Sequence, residues 1–84
     1  MTDHEWASRE QMRQEVARLI ARYRALRGLT MRELATQAEV RSHNQVQLWE
    51  QAQRDISLLM WMRVAKVLRI PRAEWPSAMA HLAP

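Results

Sequence analysis

The chain has a single glycine, Gly28, and it stands at the end of a long helical pattern. From Ser8 to Arg27, Met12, Val16, Leu19, Ile20, Tyr23 and Leu26 recur at steps of three and four, the spacing of one face of an α-helix. Gly28 falls where a left-handed residue stops such a helix. Ser8 with Gln11 fits a capping box, and Thr2 with Glu5 offers an earlier start. The opposite face carries Arg9, Arg13, Arg18, Arg22 and Arg27, partly offset by Glu10 and Glu15. One glycine and three prolines in 84 residues are poor material for a hairpin-rich β fold.

The rest of the chain continues in short helical units. Thr30 with Glu33 is a second capping box, opening a helix to about Ala38 with Leu34 and Ala35 inward. Glu39-Val40-Arg41 lacks helical rhythm and reads as a tight turn. Ser42, with Gln45 three residues on, caps a third helix through about Glu50, with Val46 and Trp49 inward. Gln51 to Asp55 is polar and unpatterned, a loop. Ser57 opens a fourth helix to about Leu68, apolar nearly all round, with Leu58, Trp61, Ala65 and Leu68 inward. Pro71 bounds the next connection, and the Ala-rich segment Ser77 to Leu82 has room for one or two helical turns. The residues themselves give four helices in a single domain over 1–84, with its core at about 8–75 and a tail at 76–84.

Several classes are excluded. A domain this small buries somewhat over ~60% of its unfolded surface, so its core is thin. Phenylalanine is absent, and core volume must come from Leu, Ile, Val, Met and four tryptophans. Without cysteine there is neither a disulfide nor a thiolate metal site, and His4, His43 and His81 are too scattered for a zinc centre. The apolar run Ile56 to Met62 is too short to span a bilayer, and the acidic, polar N-terminus does not read as a signal peptide. The expectation is a soluble, cytoplasmic protein with no membrane partner, metal or cofactor. Ser and Thr residues sit at caps, with no elbow glycines and no phosphate-cradling loop, and His43 beside Ser42 is mere adjacency. An enzyme is not expected.

What remains is a helix, a short turn and a second helix, flanked by helices. With Val46 and Trp49 anchored inward, the third helix presents Ser42, His43, Asn44 and Gln47 to solvent. Short polar side chains and free N–H groups at a helix end suit a major groove and its phosphate rim. Asn44 and Gln47 can each pair with adenine, and His43 with a guanine acceptor. The formal net charge is +4, and Lys66 is the sole lysine among thirteen cations. Arg32, Arg41 and Arg54 flank the motif without compensating acids, where phosphates would run. Trp49 and Trp61 read as core, Trp6 and Trp75 as packing anchors for the termini.

In order along the chain come Arg24-Ala25-Leu26-Arg27-Gly28-Leu29-Thr30, Arg32-Glu33-Leu34-Ala35, Val46-Gln47-Leu48-Trp49-Glu50, Ser57-Leu58, Arg63-Val64-Ala65-Lys66-Val67-Leu68 and Ala73-Glu74-Trp75. On these segments, over roughly residues 16–75, the chain resembles the XRE family of helix-turn-helix regulators, the Cro- and phage-repressor-like type. It departs from that pattern at Met31, at Ala52 and Ile56, and in a turn around Glu39 to Arg41 that is one residue longer. The resemblance implies an all-α, compact five-helix bundle, with Trp75 near the last core anchor. It implies that Ser42 caps the recognition helix and touches a phosphate, and that His43, Asn44 and Gln47 face base edges. It further implies a structural salt bridge between Arg24 and Glu50.

Leu59, Met60 and Met62 exceed what the inward face of the fourth helix needs, so a folded-back tail or a second subunit must cover them. A homodimer would set two recognition helices about one DNA turn apart, roughly 34 Å, and read a palindromic operator. The expected protein is therefore a sequence-specific double-stranded DNA-binding repressor of plasmid or phage type, acting by promoter occlusion. Its size leaves little room for a small-molecule effector site. The rival expectations are an antitoxin-like protein-interaction module and a nonspecific architectural DNA-binding protein.

Overall fold

The computed structural model describes residues 3–80, with side chains from residue 8 to residue 79. Helix α1 spans Asp3–Arg27, α2 Met31–Gln37, α3 His43–Glu50, α4 Leu58–Leu68 and α5 Ser77–Ala80, with one 3-10 turn at Arg72–Glu74. The protein is an all-α bundle of five helices containing a helix-turn-helix, α2 to α3. Helix α1 begins before Ser8, which is an exposed residue inside it rather than a cap. Thr2, the other candidate cap, lies outside the described residues, as do the side chain of Trp6 and the tail beyond Ala80.

Thr30, Ser42 and Ser57 all stand at helix starts as the sequence places them, and two of the three make a side-chain cap bond. Thr30 Oγ1 accepts from the Glu33 N–H at 3.0 Å while the Thr30 N–H donates to Glu33 Oε1 at 2.9 Å, a complete capping box. Those bonds hold the Glu33 carboxyl below the usual carboxylate range. Ser57 Oγ accepts from the Met60 N–H at 3.1 Å. Ser42 occupies the N-cap position of α3 in extended geometry, but its hydroxyl makes no cap bond. The Gln45 N–H is directed to the Ser42 carbonyl instead, at 3.2 Å.

Helix ends share one device. Gly28 has φ +69°, its N–H donates to Ala25 O, and the next N–H, of Leu29, donates back to Arg24 O. This pair of bonds satisfies carbonyls that the helix leaves orphaned. Helices α2, α3 and α4 close the same way on Glu39, Ala52 and Arg69, with φ 57°, 57° and 54°. Their following amides bond five residues back, Val40 to Ala35, Gln53 to Leu48 and Ile70 to Ala65. The left-handed residue is thus glycine only once.

The core gathers Val16, Ile20, Leu34, Val46, Trp61, Val64 and Leu68, all essentially inaccessible. Two inward assignments change. Leu26 is 64% exposed. At about 100° per residue it lies off the stripe of Val16, Ile20 and Tyr23, and Arg27 continues that stripe. Arg27 Nε donates to Leu68 O at 2.7 Å and its Nη2 to Arg69 O at 3.1 Å, capping α4. On α4, Val64 takes the central place expected of Leu58, which is half-buried at the edge.

The C-terminal segment returns to the core. Trp75 donates its indole N–H to Ile70 O at 3.1 Å and meets Trp61 edge-on, centroids 5.8 Å apart. Pro76 is buried, and Met79 is only 4% exposed. Tyr23 donates its hydroxyl to Glu74 Oε2, which fastens the 3-10 turn to α1 and raises the Tyr23 pKa. Trp49 and Trp61 are core residues whose indole N–H groups find no acceptor. Each such burial costs about 1–3 kcal/mol, offset here by the large apolar area of the rings.

Candidate nucleic-acid interface

Helix α3 is short and fixed on one side. Val46 and Trp49 sit at 0% and 3% exposure, and at about 100° per residue this turns Asn44, Gln47 and Gln51 outward along one stripe. Asn44 and Gln47 are exposed, and neither side chain has a hydrogen bond among the described residues. His43 is half-buried at the edge of that stripe and Leu48 lies half-buried on its other side. Gln51 reads as loop by pattern, yet it ends the stripe one turn beyond Gln47. The signal was its spacing of four from Gln47. Eight residues rise about 12 Å, comparable to the width of a DNA major groove.

The other face of α3 is bolted down by charge. Arg24 Nε and Nη2 donate to Glu50 Oε2 and Oε1 at 2.6 and 3.0 Å, a bidentate pair. Arg24 Nη1 donates to Leu29 O at 3.0 Å. One guanidinium therefore joins α1, the α1–α2 turn and α3. The carboxylate raises the Arg24 pKa further, so its charge is permanent. With three donors committed inward, the side chain is 22% exposed.

An open cleft of about 280 Å³ runs between α2 and the start of α3, lined by Arg32, Thr36, Arg41, Ser42 and His43. Four of the residues singled out by sequence thus share one depression, where the uncapped Ser42 hydroxyl has no cap bond to give up. Arg32 and Arg41 are exposed and make no ion pair among the described residues. Arg41 also lines a second cleft on the opposite edge of α3, with Gln45, Trp49 and Asp55. Arg54 lies elsewhere, exposed in the α3–α4 loop next to Asp55.

The residues considered for an interface between copies behave unequally. Leu59 is 57% exposed, whereas Met60 is half-buried and packs against the core. Met62 is half-buried. Met60 thus has part of its surface taken up by the core, on the inward edge of α4.

Among the described residues, no group of His, Asp or Glu could hold a metal ion, and no helix is long and apolar enough to cross a membrane. The sequence model of a helix-turn-helix family, HTH_3, matches residues 20–75. No curated protein and no solved structure matches the chain.

Proposed function

The chain belongs to the HTH_3 helix-turn-helix family, whose domains bind DNA and are non-catalytic, and from that premise we propose a sequence-specific transcriptional repressor. It binds a palindromic operator as a homodimer and acts by occluding the promoter. The observation that carries this reading is the outward stripe of α3. Asn44 and Gln47 stand unpartnered on a helix whose opposite side is held by Val46, Trp49 and the Arg24–Glu50 pair. Amide side chains free of internal partners and mounted on a rigid helix are placed to pair with base edges.

The supporting residues divide the work. Arg32, Arg41 and Ser42 reach phosphates from the cleft beside α3, with Arg54 on the loop edge, and His43 reads the first base edge. Leu59, with Met62 beside its helix turn, contributes to the interface between copies, since a leucine that is 57% exposed costs solvent ordering until it is covered.

Selection of bound duplexes from a random DNA pool at near-physiological salt tests the proposal. A two-fold symmetric motif is expected, with half-sites about one helical turn apart. Asn44→Ala or Gln47→Ala should then lose about 1–3 kcal/mol on that motif while nonspecific binding persists. Binding without an enriched motif, vanishing as salt rises, would replace the repressor with an architectural DNA-binding protein.

A further inference from the structure

The arginines in the first half of α1 have no part in the site above, yet two of them reach the α3–α4 loop. Arg13 Nη1 donates to Asp55 Oδ1 at 3.0 Å, and Arg9 Nη2 lies 4.0 Å from Asp55 Oδ2. Arg13 Nη2 also donates to Glu10 Oε2 at 2.8 Å. Asp55 follows Arg54 in the chain, so these ion pairs set the N-terminal half of α1 directly against the loop that carries Arg54. Neither Arg9 nor Arg13 falls within the family-matched segment 20–75.

Among the described residues, cations outnumber acids at this corner. Arg9, Arg13 and Arg54 outnumber Glu10 and Asp55, the carboxylates engaged by Arg13. The Arg9 side chain is 54% exposed, and Arg54 is exposed with no ion pair among the described residues. The corner also connects to the candidate interface. Asp55 lines the cleft on one edge of α3 together with Arg41, and Arg41 lines the cleft on the other edge with Arg32. Arg41 thus borders both clefts beside α3, and Asp55 joins the second of them to Arg9 on α1.

We propose that Arg9, which Asp55 holds against the α3–α4 loop, joins the Arg54 of that loop in a second phosphate-binding site that grips the DNA backbone flanking the base pairs that α3 reads. The inference rests on the DNA-binding reading above. Its chemistry is that of counterion release: each phosphate neutralised by an arginine adds about 0.9 to the slope of log K against log salt. Asp55 acts as a positioning residue. It holds the Arg9 and Arg13 guanidinium groups against the loop before DNA arrives, and Arg13 offsets the repulsion between the Asp55 carboxylate and phosphate.

The test is duplex binding by fluorescence anisotropy at a series of salt concentrations, with the wild-type chain and single variants. Arg9→Ala and Arg54→Ala should each flatten the salt slope by about one unit per bound protomer, with the ratio of preferred to nonspecific binding unchanged. Arg9→Lys should restore most of the slope, separating charge from helix packing. Trimming the duplex flanks should lower wild-type affinity by more than it lowers that of Arg9→Ala. A wild-type slope in Arg9→Ala, with a flattened slope in Arg54→Ala, overturns the flanking site and leaves the DNA-binding reading intact. If the wild-type chain binds no duplex, both fall together.

Discussion

Ala52 stands at φ 57°, in the left-handed region, where its Cβ crowds the following carbonyl. That placement costs an L-residue about 1–2 kcal/mol, and glycine nothing. Glycine in turn gives up about 0.4–1 kcal/mol through the greater freedom of the unfolded chain. The difference predicts that Ala52→Gly stabilises the fold by about 0.5–1 kcal/mol. Gly28, at φ +69°, is the mirror experiment. A Cβ built there meets no atom within 4 Å, so Gly28→Ala carries no steric clash and loses stability through the backbone alone. The two substitutions reverse the same physical change and should shift stability by similar amounts in opposite directions.

Thermal melts followed by far-ultraviolet circular dichroism read both variants. For a domain of this length, 1 kcal/mol moves Tm by roughly 4–8 °C, so a rise and a fall of about 2–8 °C are expected. Ala52 lies in the loop that carries Arg54, at the end of α3, and the bond from the Gln53 N–H to Leu48 O closes the turn in either case. Preferred-duplex selection should therefore be unaffected by Ala52→Gly. A lower Tm for Ala52→Gly would refute the reasoning, because it would mean that the methyl group contributes more by packing than the left-handed backbone costs.

Arg24→Met leaves the Glu50 carboxylate, 8% exposed, without its bidentate partner; the loss should lie near 2–3 kcal/mol, between exposed and fully buried pairs. A calorimetric Tm within about 3 °C of wild type would place that pair among the solvated ones. Tyr23 is the sole tyrosine, so its ionisation can be followed by absorbance near 295 nm. Donation to Glu74 raises its pKa, so the midpoint should lie above the unfolded value of about 10. The stability from this contact is fully present below the unfolded pKa and is lost as pH rises through the folded one; a native midpoint at or below the urea-unfolded midpoint contradicts it. Ser57→Ala should cost about 1 kcal/mol in urea unfolding, as loss of an N-cap does, whereas Ser42→Ala should cost far less because no cap bond exists to lose. The opposite order would show that Ser42 caps α3 after all.

Local signals carried the helices because each rests on residues a few positions apart. The Thr30–Glu33 box, the Val46–Trp49 anchor and Ser57 all act within one turn of where they stand. Helix ends were less legible for a physical reason. A single glycine marks one left-handed terminus, but Glu39, Ala52 and Arg69 adopt the same conformation without the residue that announces it. Ser42 misleads in the opposite sense: its type and position suit a cap, and its backbone is extended, yet the hydroxyl makes no such bond. The stripe of Asn44 and Gln47 was readable from Val46 and Trp49 alone, since fixing the buried side of a helix fixes the outer one. The cleft that joins Arg32 to Arg41, Ser42 and His43 was not, because it depends on the angle between α2 and α3.

The arginines mark where patterning along the chain stops being informative. Arg13 pairs with Asp55, Arg24 with Glu50 and Arg22 with Glu74, over separations no helical periodicity encodes. Arg27 is spent on the carbonyls of Leu68 and Arg69. Glu10, Glu50, Asp55 and Glu74 are thus all engaged by arginines of α1. Arg32, Arg41 and Arg54 make no ion pair among the described residues, which leaves a local excess of unpaired cations around α3. Electrostatic attraction to a polyanion depends on that local excess and not on the total. It follows that neutralising Arg32, Arg41 or Arg54 should weaken duplex binding with a change in salt slope, whereas neutralising Arg27 should lower Tm and leave the slope where it was. A flattened slope in Arg27→Gln would show that capping α4 is not what that side chain is for.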